Sequence, residues 1–270
     1  MNQLITRGRL GIAFAAMIVV GGLAASTPAY AVGPTASVED GNNVEYVGTG
    51  FADRITVSTD LPGTVLLENS VTDITAGPGC TEVSTGVRCE ATTSGAVVDL
   101  VKLDLQAGFD TAEVKTSVRT TILGGDDGDT YKGATSSKGT TVVFDGGGGV
   151  DTADYSKSTA GVLVDLDGAA DDGRLGRDQD NVTTSVENLT GSDHADSLRG
   201  NAVANRVFGG LGADALRGGA GDDQLVASET NLSGTEADTA DLSCGKGIDS
   251  IVLDVVDPGS AECETVTRVR

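Results

Sequence analysis

The sequence contains no tryptophan, a single histidine, and aromatic residues at only 3% of its length. Beyond residue 31 the aromatics are Phe51, Phe109, Phe144, Phe208, Tyr46, Tyr131 and Tyr155. A conventional globular core would hold more large apolar groups. A thin stack of repeating turns needs fewer, because each turn packs only on its neighbours. With His194 the sole imidazole, a Ser-His-Asp triad has one candidate base, and no nucleophile motif accompanies it. G-x-S-x-G, H-E-x-x-H and phosphate-loop sequences are missing. No C-x-x-C pair exists, which argues against zinc. Basic residues are scarce, 18 against 40 acidic, for a net charge of −22. That balance argues against nucleic acid, whose binding depends on cationic contacts with phosphate, and against anionic membrane surfaces. It suits a protein that binds cations.

What is present begins with an expected secretory signal peptide over residues 1–31. Arg7 and Arg9 form its basic start, Leu10 to Ala25 its apolar or small middle, and Ala29-Tyr30-Ala31 its cleavage site. The apolar stretch is too short and too interrupted for a membrane span, and no other segment could cross a bilayer. Removing the leader takes away two arginines and no acid, so the mature chain is more acidic still. The remainder divides into a β-rich region over 32–120, a repeat region over 121–226 and a C-terminal capping segment over 227–270. Helical periodicity is nearly absent from all three. Val101, Leu103 and Leu105 alternate with polar residues, as do Val162, Val164 and Leu166, and Thr64 to Leu67 reads as a short buried strand. The Gly- and Asp-rich stretch from Asp167 to Asp180 reads as an exposed loop.

Four nine-residue units stand head to tail from Gly191 to Val226. Position one is always glycine (191, 200, 209, 218). Position six is Asp196, Asn205, Asp214 or Asp223, and position eight is Leu198, Val207, Leu216 or Leu225. The glycines can adopt φ > 0 and aim carbonyls inward. The acid closes the loop with a carboxylate, and the apolar residue points into a core. Calcium takes about 6–8 oxygens from carboxylates and carbonyls, more than one loop supplies. If two units make one turn, unit one stacks on unit three and unit two on unit four. Two stacked loops can then enclose an ion, with one site between Asp196 and Asp214 and the other between Asn205 and Asp223. The same grammar recurs at Gly124–Lys132, with Asp129 at position six, and at Gly146–Asp151. Echoes starting at Gly48, Ala107 and Cys244 read as ordinary turns in a repetitive sheet.

These units, with the longer stretch from Asp151 to Asn201, resemble the RTX, or haemolysin-type calcium-binding, repeat. The resemblance implies an all-β, right-handed parallel β-roll or β-solenoid with Ca²⁺ between its turns. The expected ligands are Asp214 and Asp223 with the carbonyls of Gly209, Gly210, Gly212, Gly218, Gly219 and Gly221. Asp196 and Asn205 complete them, and Asp129 and Asp151 extend the set. The four cysteines allow three pairings, and the local ones, Cys80–Cys89 and Cys244–Cys263, are favoured. The reading that results is a secreted, extracellular, non-catalytic calcium binder. Its rival is a calcium-scaffolded adhesin or ligand-binding module whose cell-surface glycan or protein partner is unknown.

Overall fold

A computed structural model of the chain describes residues 33–135, 139–227, 241–258 and 262–269. The expected signal peptide and most of the polar stretch 227–243 lie outside the described residues. Every regular element among the described residues is a β-strand, and no helix there is long and apolar enough to cross a membrane.

Short alternating segments form the strands, and the eighth residue of each nonamer faces inward. Leu198, Val207, Leu216 and Leu225 are all at most 1% exposed. Leu198 pairs with Leu216 in parallel and Val207 with Leu225. Unit one thus stacks on unit three and unit two on unit four, an 18-residue step. The stacking continues beyond the nonamers, with Leu189 under Val207 and Ile251 over Leu225.

Parallel strands build one twelve-stranded sheet that includes Arg54–Ser58, Thr111–Val114, Thr130–Lys132, Thr152–Asp154, Asn188–Thr190, Arg206–Phe208, Gln224–Val226 and Ser250–Leu253. Two shorter sheets complete the structure. A seven-stranded one carries Leu100–Asp104, Arg119–Gly125 and Val142–Gly147, and a five-stranded one carries Val162–Asp165, Ser197–Arg199 and Ala215–Ala220. Inner side chains meet between sheets: Tyr131 of the long sheet lies 5.7 Å from Phe144 of the seven-stranded one, ring centroid to centroid. The arrangement is consistent with a β-roll. The boundary expected after residue 120 falls inside the strand Arg119–Gly125, so the sheets run through it without a break.

Antiparallel strands close the N-terminal end. Thr64–Asn69 pairs with Arg54–Ser58 and with Gly86–Glu90, which in turn pairs with Cys80–Val83. Thr64 to Leu67 are all buried, as the sequence suggested. Cys80 and Cys89 face each other across that last pair and are bonded, and Cys244 is bonded to Cys263.

The segment Asp167–Asp180 is exposed along much of its length, as its composition suggested, but not throughout. Asp172 and Asp180 are fully buried, and Arg174 and Asp178 nearly so. Backbone donors that lack a strand partner draw these carboxylates in. Asp178 Oδ1 accepts from Thr140 N–H at 3.0 Å and Asp180 Oδ1 from Val142 N–H at 3.0 Å. Asp172 accepts from Asp165 N–H at 2.8 Å and from Val182 N–H at 2.7 Å. Tyr131 donates its hydroxyl to Asp180 at 3.0 Å, and Arg174 Nε bonds Asp178 at 2.7 Å. These carboxylates are buried because their oxygens stand in for ladder carbonyls.

Candidate metal centre

One acidic or amide residue stands immediately before each of the nine parallel strands of the long sheet. The series runs Asp53, Asp110, Asp129, Asp151, Glu187, Asn205, Asp223, Asp249 and Glu264. The residue two positions later points into the core at every rung but the last, as Tyr131, Leu189, Leu225 and Ile251 do, whereas Val266 after Glu264 is exposed. The acids are bonded turn to turn. Asp110 N–H donates to Asp129 Oδ1 at 2.9 Å, and Asp129 N–H to Asp151 Oδ1 at 2.7 Å. Asp151 N–H donates to Glu187 Oε2 at 2.9 Å. Further on, Asn205 N–H donates to Asp223 Oδ1, Asp223 N–H to Asp249 Oδ1, both at 2.8 Å, and Asp249 N–H to Glu264 Oε2 at 2.7 Å. At the five-stranded sheet Asp196 N–H donates to Asp214 Oδ1 at 2.9 Å. One carboxylate oxygen per turn is therefore structural.

The second oxygen has another fate. In Asp110, Asp129, Asp151, Asp223 and Asp249 the Oδ2 atom is buried with no hydrogen-bond partner. Such a group costs free energy unless something compensates it. In Asp129, Asp151 and Asp223, Oδ2 hangs over the first glycine of its own loop, Gly124, Gly146 and Gly218. A Cβ added to Gly124 would overlap Asp129 Oδ2 and the Gly146 carbonyl oxygen together, and one added to Gly218 would overlap Asp223 Oδ2 and the Cys244 carbonyl oxygen. Only glycine leaves that space, and the space joins a carboxylate oxygen to a carbonyl from the next turn. The residues fit a hard, oxygen-seeking cation. Among the described residues no three His, Cys, Asp or Glu side chains converge, so backbone carbonyls would have to supply much of any coordination shell.

Burial dominates the electrostatics. It pushes the Asp110 carboxyl up to about 7 and those of Asp129 and Asp223 to about 6, with neighbouring aspartates adding to the shift. Asp151 and Asp196 are raised for the same first reason.

The expected site residues divide. Asp214 and Asp223 each lie beneath the first glycine of their own loop, Gly209 and Gly218. Gly210, Gly212, Gly219 and Gly221 all adopt positive φ. At Gly210 a Cβ would also strike the Ser192 carbonyl of the stacked turn, so conformation and stacking both demand glycine there. Asp196 and Asn205 stack on their partners as expected but are closed off internally. Ser192 donates its N–H and hydroxyl to Asp196, whose Oδ1 also accepts Val162 N–H. Asn205 Oδ1 accepts Asn201 N–H at 2.8 Å, and Nδ2 donates to the Glu187 carbonyl at 3.1 Å. Asp129 and Asp151 occupy the same ladder position as Asp223.

The echoes at Gly48, Ala107 and Cys244 prove to be more than ordinary turns, because they place Asp53, Asp110 and Asp249 in this ladder. Glu187 and Glu264 were not foreseen at all. A triplet of acid or amide, any residue, apolar residue marks every rung, as in Glu187-Asn188-Leu189 and Glu264-Thr265-Val266, and would have found them. His194 is exposed, and the Ser192 hydroxyl bonds Asp196 directly, so these three residues form no catalytic relay.

With this geometry the comparisons agree. Residues 190–225 match the RTX calcium-binding nonapeptide repeat in four copies. The chain thus carries RTX-type calcium-binding repeats where its 18-residue stacking is most regular. No curated protein matches it.

Proposed function

We propose that this chain is a secreted, non-catalytic protein whose right-handed β-roll takes up Ca²⁺ outside the cell and is stabilised by it. The observation that carries the reading is Asp223. It lies inside the matched repeats, and its buried Oδ2 has no donor and shares the space over Gly218 with the Cys244 carbonyl. Asp214 occupies the equivalent place over Gly209 at the five-stranded sheet. Calcium would be held by these two carboxylates and by carbonyls of the stacked glycine loops. Bound there, it would neutralise carboxylates that otherwise repel one another in a strongly acidic chain. Because only the stacked fold presents the loops, binding stabilises folding. Urea unfolding with calcium and with a chelator tests this. A higher midpoint in calcium is expected, and an unchanged midpoint would overturn the proposal.

A second reading, a ligand-binding or adhesive module, draws on Phe51 and Phe109. They are 67% and 70% exposed and stand beside the acid ladder on adjacent turns. Glycan-array binding by the parent but not by Phe51→Ser with Phe109→Ser would support it.

A further inference from the structure

We infer that a second calcium array lies outside the matched repeats, on the three stacked turns that close at Asp110, Asp129 and Asp151. The inference rests on the reading that the roll binds calcium, and it moves much of that binding away from residues 190–225.

Within the matched segment two of the four position-six residues are already satisfied. Ser192 closes Asp196 and Asn201 closes Asn205. The three N-terminal turns are different. Asp110, Asp129 and Asp151 are at most 2% exposed, and each has a buried Oδ2 with no partner. Asp129 Oδ2 and the Gly146 carbonyl converge on the space over Gly124. The turns are stacked in register, since Asp126 N–H donates to the Gln106 carbonyl at 2.8 Å and Gly148 N–H to the Gly125 carbonyl at 2.7 Å. Gly108, Gly125, Gly147 and Gly149 all take positive φ, as the loops of the matched repeats do. Asp127, exposed on the middle loop, adds charge that acts on both Asp110 and Asp129.

The array has defined ends. Asp53, the next rung toward the N-terminus, is satisfied, because Asn69 Nδ2 donates to its Oδ1 at 2.7 Å and Thr49 N–H to its Oδ2 at 3.1 Å. At the other end Asp151 is the last aspartate of the run, because the next rung is Glu187, whose Oε2 accepts Asp151 N–H at 2.9 Å. That leaves two inter-turn gaps, 110/129 and 129/151. Both offer hard oxygen and neither offers imidazole or thiol: His194 lies elsewhere and the four cysteines are in disulfides. The chemistry selects a calcium-like cation over zinc or copper.

The test is calcium titration calorimetry on the full chain and two variants. Asp→Asn is the suitable change, because the Asn side-chain oxygen keeps an acceptor for the stacked N–H, and Asn205 shows that a rung of this ladder can be an amide. The variant Asp110→Asn with Asp129→Asn and Asp151→Asn should bind about two fewer ions per chain. The variant Asp214→Asn with Asp223→Asn should keep those two. If the triple variant binds as many ions as the parent, this inference fails and the proposed function stands. If the parent binds none, both fail. Should the triple variant not fold, terbium bound to the unmodified chain decides. Tyr131 lies two residues from Asp129, and residues 190–225 contain no tyrosine or tryptophan. Tyrosine-sensitised terbium emission that calcium displaces is therefore expected, and its absence would overturn the inference.

Discussion

Asp223 accepts the backbone N–H of Asn205, a residue on the turn stacked against it, at 2.8 Å through Oδ1 and leaves Oδ2 buried without a partner. The two oxygens of one side chain therefore have separable roles, one in stacking and one facing the loop.

Substitution should separate them. In chelator, Asp223→Asn should unfold within about 0.5 kcal/mol of the parent, because an acceptor for Asn205 remains. Asp223→Ala strands that N–H and should cost about 1–3 kcal/mol. Both should lose most of the added stability that calcium confers. Urea melts of the three proteins, each with and without calcium, check this, and equal apo stabilities would refute the division of roles.

The raised carboxyls give a pH dependence of defined sign. Asp110 and Asp180, at about 7, and Asp129 and Asp223, at about 6, hold a proton more tightly folded than at their ordinary value of 3.8. The folded state then carries more protons than the unfolded one between about pH 4 and 7, so without calcium this set's contribution falls as pH rises through that window. Calcium competes with those protons, and its affinity should fall toward pH 5. Denaturation midpoints in chelator across this range test the first part, and titrations at pH 5 and 7.5 the second.

Two arginines should behave differently. Arg174 is 3% exposed and grips Asp178, whose side chain is fully buried. Replacing it with methionine leaves a buried carboxylate unpaired and should cost about 3–5 kcal/mol. Arg217 pairs with Asp241 at a site where both are 48% exposed, and Arg217→Ala should cost less than about 1 kcal/mol. Comparable losses would show that the segment 167–180 is not anchored as described.

Glycines should differ in the same way. Gly219 has φ 114° and its Cβ would run into the Asn201 carbonyl, so Gly219→Ala should destabilise by at least about 1–3 kcal/mol. At Gly148 the nearest atom to a Cβ is 3.8 Å away, and Gly148→Ala should be near neutral. Thermal unfolding of the two variants distinguishes them.

The repeat period made the stacking of Leu198 on Leu216 and of Val207 on Leu225 legible before any coordinates, along with the buried strand at Thr64 and both disulfides. The rest was hidden for physical reasons. Ile55 stacks on Ala112 and Ala153 on Leu189, and the insertions between these partners erase the 18-residue step. Glu187 and Glu264 lack the glycine loop that drew the eye to Asp214. Asp172 and Asp180 looked solvated because aspartate usually is. Only the fold reveals the unpaired N–H groups of Val182 and Val142 that draw them inside. The closure of Asp196 by Ser192 was equally invisible, since a serine in place of glycine signals a poorer loop without saying that its hydroxyl turns on the carboxylate.

The ladder also has a grain. Along the long sheet, from Asp110 to Asp151 and again from Asn205 onward, each rung offers its N–H to an acceptor on a rung that comes later in the chain, ending at Glu264 beside the bonded Cys263. A chain emerging with its N-terminus first would leave each new coil with an open donor until the following coil arrived. The last few residues would then act as a keystone, set only when everything beneath them is in place.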